Sequence, residues 1–219
     1  MKDSLADWLS NRSALSEPTS VKPIRSAHSG RDGHAAFLFQ QVRPRDLARF
    51  ERLTLALALA RSDARAGRRL SFSRLASWQR LLLGAQSVPF RVTDAFAKHG
   101  RERYGLNSFS QQGFAACLRD ANDVLVSRSL RAARAYLDVL FFHPFADGNA
   151  RAATLTLDFI LAREGIVLAQ VAPLFVVSRR ADDLPGAQAL VRLVEMLAAP
   201  AARPQTPASR SGLTCSRRL

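Results

Sequence analysis

From position 44 onward, apolar residues recur at spacings of three and four, the period of a helix with one buried face. Leu47, Phe50, Leu53 and Leu57 form the first such stripe, with Pro44 suited to a first-turn position and Gly67 ending the segment. A second stripe, Leu75, Trp78, Leu82 and Leu83, starts near Ser73 and stops at Gly84. A third helix is predicted over about Gln111–Asn122. The fourth begins at Ser127 or Ser129, either a suitable N-cap, and carries Leu130, Ala133, Leu137, Leu140 and Phe141. It ends at His143-Pro144, because a residue before proline is pushed out of the right-handed helical region. The fifth runs from about Asn149 to Glu164, with Ala153, Leu157, Ile160 and Leu161 inward and Gly165 as terminator. A last helix covers Pro185–Ala198. Between 85 and 108 the periodicity breaks into short extended pieces punctuated by Pro and Gly, which predict a loop or small hairpin. The pattern describes a mainly α domain.

Before position 44 the pattern is weak. A short helix over Ser4–Asn11 is followed by a Ser/Pro/Gly-containing stretch, so residues 1–43 are read as an N-terminal extension. Residues 44–199 form the helical domain, and the Pro/Ser/Arg-rich residues 200–219 are expected to be a disordered basic tail. At 219 residues the chain has room for one ordinary domain. No apolar run approaches the roughly eighteen residues of a membrane-spanning helix, so no membrane partner is expected. The polar start MKDSLADWLSNR has no hydrophobic segment of a secretory signal, and the two cysteines, Cys117 and Cys215, form no disulfide framework. A cytoplasmic location is the expectation. The formal charge is +14, yet only Lys2, Lys22 and Lys98 of the 32 basic residues are lysine. The arginines are scattered among alanines, without a basic stripe interleaved with aromatics. The charge therefore reads as compositional background rather than a nucleic-acid footprint, with some arginines available for phosphates. A homo-oligomer is left open.

The densest chemistry lies in the loop between the fourth and fifth helices, His143-Pro-Phe-Ala-Asp-Gly-Asn-Ala-Arg151. Asp147-Gly148-Asn149 immediately precedes a helix, where free N–H groups and the positive end of the helix dipole converge on an anion. Gly148 permits backbone geometry that a side chain forbids. Arg151 adds a forked cationic donor to the same anion. Asp147 beside a polyphosphate would be a magnesium ligand, since that ion borrows one or two carboxylates and keeps its waters. His143 has a pKa suited to accepting a proton near neutrality. Taken singly, a histidine at a helix end is usually a cap, a D-G-N turn usually only a turn, and an arginine usually solvated. Five useful types in this order at one helix N-terminus favour a site for attack by a hydroxyl on a phosphate.

The segment HPFADGNAR resembles the signature of Fic-domain proteins, H-x-F-x-D/E-G-N-G-R-x-x-R, and SLRAARAYLDVLFF resembles the helix leading into it. The likeness runs from roughly Ser73 to Ala198. It implies a Fic-type helical bundle with a small β-hairpin flap, and a nucleotidyltransferase that moves AMP from Mg-ATP to Ser, Thr or Tyr hydroxyls of a protein or peptide. By the resemblance, His143 is the general base, Phe145 a buried anchor and Asp147 the Mg2+ ligand. Gly148, Asn149 and Ala150 lie at the anion cradle, and Arg151 contacts the nucleotide phosphates. Val88-Pro89-Phe90-Arg91-Val92 takes the place of the flap that aligns the target segment, with Arg91 meeting phosphate or substrate or serving as an ordinary loop arginine.

Two positions depart from the signature. Ala150 stands where the family has its second glycine, and Thr154 where it has a final arginine that holds the terminal phosphate. The departures leave open other donors known in the family, which transfer UMP, phosphocholine or phosphate, and a catalytically degenerate nucleotide-binding module. Upstream, Ser13-Ala-Leu-Ser-Glu17-Pro18 resembles the family's inhibitory helix, S/T-x-x-x-E-G/N, except at Pro18. In that reading Glu17 would meet only the neutral hydroxyl of Thr154.

Overall fold

Several long helices begin where a short polar side chain takes up free N–H groups. The protein, described here from a computed structural model, is described for residues 2–18 and 31–198. In chain order its elements are α1 (Ser4–Arg12), α2 (Gly33–Phe37) continued by a π-helical turn at Leu38–Val42, α3 (Leu47–Arg65) and α4 (Phe72–Leu83). The hairpin strands β1 (Ala95–Ala97) and β2 (Glu102–Tyr104) follow, then α5 (Ser110–Asp120), α6 (Arg128–Phe142), α7 (Asn149–Arg163), α8 (Ala172–Phe175) and α9 (Leu184–Ala198). Asp46, Ser71 and Ser127 cap α3, α4 and α6 by accepting from the N–H groups of Arg49, Arg74 and Leu130. Gly84 and Gly165 end α4 and the α7 region in the left-handed conformation expected of terminators. Helix α3 starts later than the sequence suggested. Pro44 lies in the preceding turn, and Asp46 takes the cap because its carboxylate can accept where proline offers nothing. Leu47 is consequently exposed, and the inner face of α3 begins at Leu53.

Helix α6 is the central rod. Twelve of its residues are buried, including Ala132, Ala133, Ala135, Leu137 and Val139, and it packs against α7, α9, α5 and α1. A helix apolar around most of its circumference belongs inside a core. The small alanines, joined by Ala152 and Ala153 of α7, let those two helices approach closely. Helix α3 lies against α7 on its other side and carries α4 with it. Trp78 of α4 donates its indole N–H to Asp63 of α3 at 2.9 Å, and Arg74 pairs with the same carboxylate.

The described N-terminal residues pack onto the helical bundle. Trp8 is 1% exposed and donates its indole N–H to the buried Asp138 of α6 at 2.9 Å. Arg12 completes the pairing with two bonds to Asp138, at 2.7 and 3.0 Å. Helix α2, which had no periodicity to reveal it, is also held by tertiary contacts. Asp32 caps it, Gly33 sits so close to Ala169 that a Cβ would fall 2.5 Å from that carbonyl carbon, and Arg61 of α3 binds both Asp32 and Asp158 of α7. Packing thus runs across position 43 without a break. The short extended pieces expected in 85–108 resolve into one antiparallel hairpin, with Ala95 opposite Tyr104 and Ala97 opposite Glu102. Residues 200–219 lie outside the described residues.

Removing one member of a buried ion pair leaves the other charge unpaired at a cost of about 3–5 kcal/mol. Arg12→Ala is therefore expected to lower the unfolding free energy by about that much, read from urea denaturation followed by circular dichroism. A loss below about 1 kcal/mol would show that α1 is not fastened to α6 through Asp138.

Candidate active site

The last turn of α6 delivers His143. Its N–H still bonds to Val139, but its backbone turns left-handed at φ 49° and ψ 53°, so the residue is the C-cap of the helix. Such a conformation is uncommon outside glycine and stands one residue before a proline that disfavours helix. The ring is held on two sides. Nδ1 lies 3.0 Å from the Leu140 carbonyl, and Tyr104 of β2 stacks on it at 4.3 Å between centroids with planes 15° apart. A carbonyl can only accept, so Nδ1 carries the proton and Nε2 keeps its lone pair. Burial, which disfavours the charged imidazolium, pushes the His143 pKa below its usual 6.5, and the cation of Arg91 adds to the effect. The ring is thus neutral near pH 7, as a base requires.

Beyond His143 the loop is fixed by one side chain. The Asn149 carboxamide donates to the Phe145 carbonyl at 2.8 Å and accepts from the Phe145 N–H at 2.9 Å, while itself 2% exposed. Phe145 is fully buried and stacks on Phe72 of α4, in a cluster with Phe90, Phe114 and Phe142. Gln79 of α4 donates to the Asp147 carbonyl at 2.6 Å. Gly148 then turns at φ 77°, where a Cβ would fall 2.6 Å from the Gln79 amide nitrogen. Being glycine, it offers α7 no capping side chain, which leaves the first-turn N–H groups without the partner a cap would supply, an arrangement that suits an anion. Ala150 is exposed at this turn. Arg151 reaches back to Asp147 at 3.2 Å, and the Asp147 carboxylate is three-quarters exposed.

The structure therefore brings His143, Asp147 and Gly148 together in one loop, with Asn149, Ala150 and Arg151 in the first turn of the helix that follows. It gives Asn149 a different part from the one implied: its side chain shapes the loop, and only its backbone belongs to the cradle. Arg91 is not at the cradle. It is 8% exposed, and its guanidinium donates to the carbonyls of Thr93, Gly105 and Phe142. The Phe142 carbonyl is one of the acceptors that a helix C-terminus leaves unsatisfied, so Arg91 braces the end of α6 rather than reaching a phosphate. Residues 88–92 are likewise not the hairpin. Phe90 inserts into the aromatic cluster and the Arg91 N–H binds the Pro144 carbonyl at 2.9 Å, which places the strands at 95–97 and 102–104 instead. Glu17 does not meet Thr154. It accepts from the Ser127 N–H at the start of α6, about 22 Å along that helix from the His143 end at roughly 1.5 Å per residue.

Gln79 and Tyr104 went unnoticed in the sequence. Gln79 had a signal, a polar residue beside the apolar stripe of Leu75, Trp78 and Leu82. Tyr104 had none, since its meeting with His143 depends on the hairpin. Alongside the loop, a cavity of about 380 Å³ opens between the start of α7 and the segment 34–53, with Ala150, Arg151 and Thr154 on its wall. Among the described residues no cluster of three or more metal-ligating side chains occurs, and no helix is long and apolar enough to cross a membrane.

The chain has the Fic fold. It aligns with the crystal structure of IbpAFic2 covalently tethered to Cdc42 at a TM-score of 0.55 and 15% identity, covering 89% of this chain and 69% of that one. A His-to-Ala variant of IbpAFic2 in complex with adenylylated Cdc42 aligns at 0.56, with the same identity and coverage. No protein-family model and no curated protein matches the sequence.

Nuclear magnetic resonance of the imidazole nitrogens is expected to find His143 in the Nδ1–H form, titrating below pH 6.5. Protonation on lowering the pH would then abolish its capacity as a base. A midpoint above 6.5, or a proton resident on Nε2 in the neutral form, would contradict the assigned geometry.

Proposed function

We propose that the protein is a Fic-type nucleotidyltransferase that moves AMP from ATP to a Ser, Thr or Tyr hydroxyl of a protein or peptide. The observation that carries this reading is the His143 ring. It is neutral, held by the Leu140 carbonyl and stacked on Tyr104, with Nε2 left as the base in the loop that leads into the uncapped start of α7. The likeness of fold to IbpAFic2, seen with adenylylated Cdc42, supports the same class of reaction.

The target hydroxyl oxygen attacks the α-phosphorus of ATP and gives its proton to His143 Nε2. A bond forms between the hydroxyl oxygen and phosphorus, the bond from phosphorus to the bridging oxygen breaks, and pyrophosphate leaves. The first-turn N–H groups of α7 face the charge that develops on the α-phosphate, and Arg151 adds a cation. The residues suit magnesium in its usual nucleotide role: one exposed carboxylate, Asp147, beside an anion site, with the remaining positions left to phosphate and water. Bound there, the ion would neutralise phosphate charge. Val92, just before the hairpin, and Phe96, within β1, are exposed apolar residues and offer the target segment a docking edge.

The test uses magnesium and ATP labelled at the α- or the γ-phosphate, incubated with the protein and a cell lysate. Relative to the same lysate without the protein, added label from the α-position is expected on protein, with no added label from the γ-position. His143→Ala is expected to lower the rate by at least about 100-fold, the low end for loss of a general base. Transfer that survives this substitution, or that carries the γ-label, would refute the proposed reaction.

A further inference from the structure

The geometry points to Arg45 and Arg49 as the cations that hold the distal phosphates of the donor, across the cavity from Thr154. This inference rests on the nucleotidyltransferase reading above. The cavity beside α7 has Ala150, Arg151 and Thr154 on one wall and Arg45 and Arg49 on the other. The Thr154 hydroxyl donates back to the Arg151 carbonyl at 2.7 Å, so that position supplies a neutral, already bonded group where the signature has a cation. The opposite wall supplies two. Arg45 is anchored at 2.6 Å on the Gln41 carbonyl and, among the described residues, makes no ion pair. Among the described residues Arg49 pairs with Asp46 alone, at 3.2 Å, and both side chains are partly exposed. That Asp46 carboxylate is also committed to the N–H of Arg49 as the cap of α3.

The cavity thus adjoins the anion-binding turn of α7 and gathers Arg45, Arg49 and Arg151. Its remaining wall includes Leu53 and Phe175, whose apolar surface excludes water and strengthens the attraction of these cations for phosphate. A chain of phosphates starting at the first turn of α7 would extend into this space. Arginine matches phosphate oxygens with paired donors, so two arginines at this wall discriminate a triphosphate from a monophosphate. The cations then come from the turn before α3 and from its first turn, rather than from position 154 on α7.

The experiment is calorimetric titration of the full chain, in magnesium, with AMP and with α,β-methylene-ATP, which resists transfer. The wild-type protein is expected to prefer the triphosphate. The Arg45→Ala, Arg49→Ala double variant is expected to lose about 10–100-fold in affinity for it, as for charge-assisted hydrogen bonds, while binding AMP as before. Retained AMP binding also shows that the variant is folded. Adding Thr154→Arg to that variant is expected to restore the preference. If the double variant keeps its preference, or loses AMP and triphosphate equally, the assignment of Arg45 and Arg49 is wrong while nucleotide binding stands. If the wild-type protein binds neither nucleotide, the nucleotidyltransferase reading falls as well.

Discussion

The site depends on the reciprocal hydrogen bonding between the Asn149 side chain and the backbone of Phe145. Two antiparallel helices joined by a six-residue loop could leave that loop in many conformations. One buried carboxamide, satisfied by a donor and an acceptor of the same residue, selects a single one. Phe145 in turn stacks its ring on Phe72 of α4, which belongs to an aromatic cluster spanning α4, α5 and α6. Gln79 adds a bond to the Asp147 carbonyl, and the space beside Gln79 admits no side chain at Gly148. The backbone that would face a phosphate is therefore set before any ligand arrives, which is what preorganised charge stabilisation requires.

The same economy governs the base. The end of α6 presents free carbonyls, and Arg91 takes the Phe142 carbonyl while His143 Nδ1 takes that of Leu140. Satisfying the helix end thereby fixes the tautomer of the histidine and places a cation near enough to oppose its protonation. Further out, two buried carboxylates orient the scaffold. Asp138 draws α1 onto α6 through Trp8 and Arg12, and Asp158 draws α2 and α3 onto α7 through His34 and Arg61. The second network brings the segment 34–49 against the start of α7 and so makes the cavity beside Thr154.

Much of this was legible in the sequence because it was local. The apolar stripes located α4 through α7 and α9, Gly84 and Gly165 marked helix ends, and the order of residues from His143 to Arg151 identified the loop. What escaped was set by distant partners. Helix α2 is too short to show a period, and its cap and glycine make sense only against Arg61 and the Ala169 backbone. Arg91 looked available because its neighbours are loop residues, yet the carbonyls it binds include those of Gly105 and Phe142, far along the chain. Leu5 and Trp8 fell within a polar N-terminus whose burial depends on a carboxylate of α6. The hairpin was placed at 88–92 by analogy, but Phe90 had a stronger destination among the other phenylalanines.

A crystal structure of the His143→Ala protein with magnesium and ATP tests the central claim most directly, since the chain can then bind the donor without its base. The account predicts the α-phosphate on the first-turn N–H groups of α7, within reach of the vacated imidazole position, and the metal against Asp147. A triphosphate bound away from that turn would contradict it.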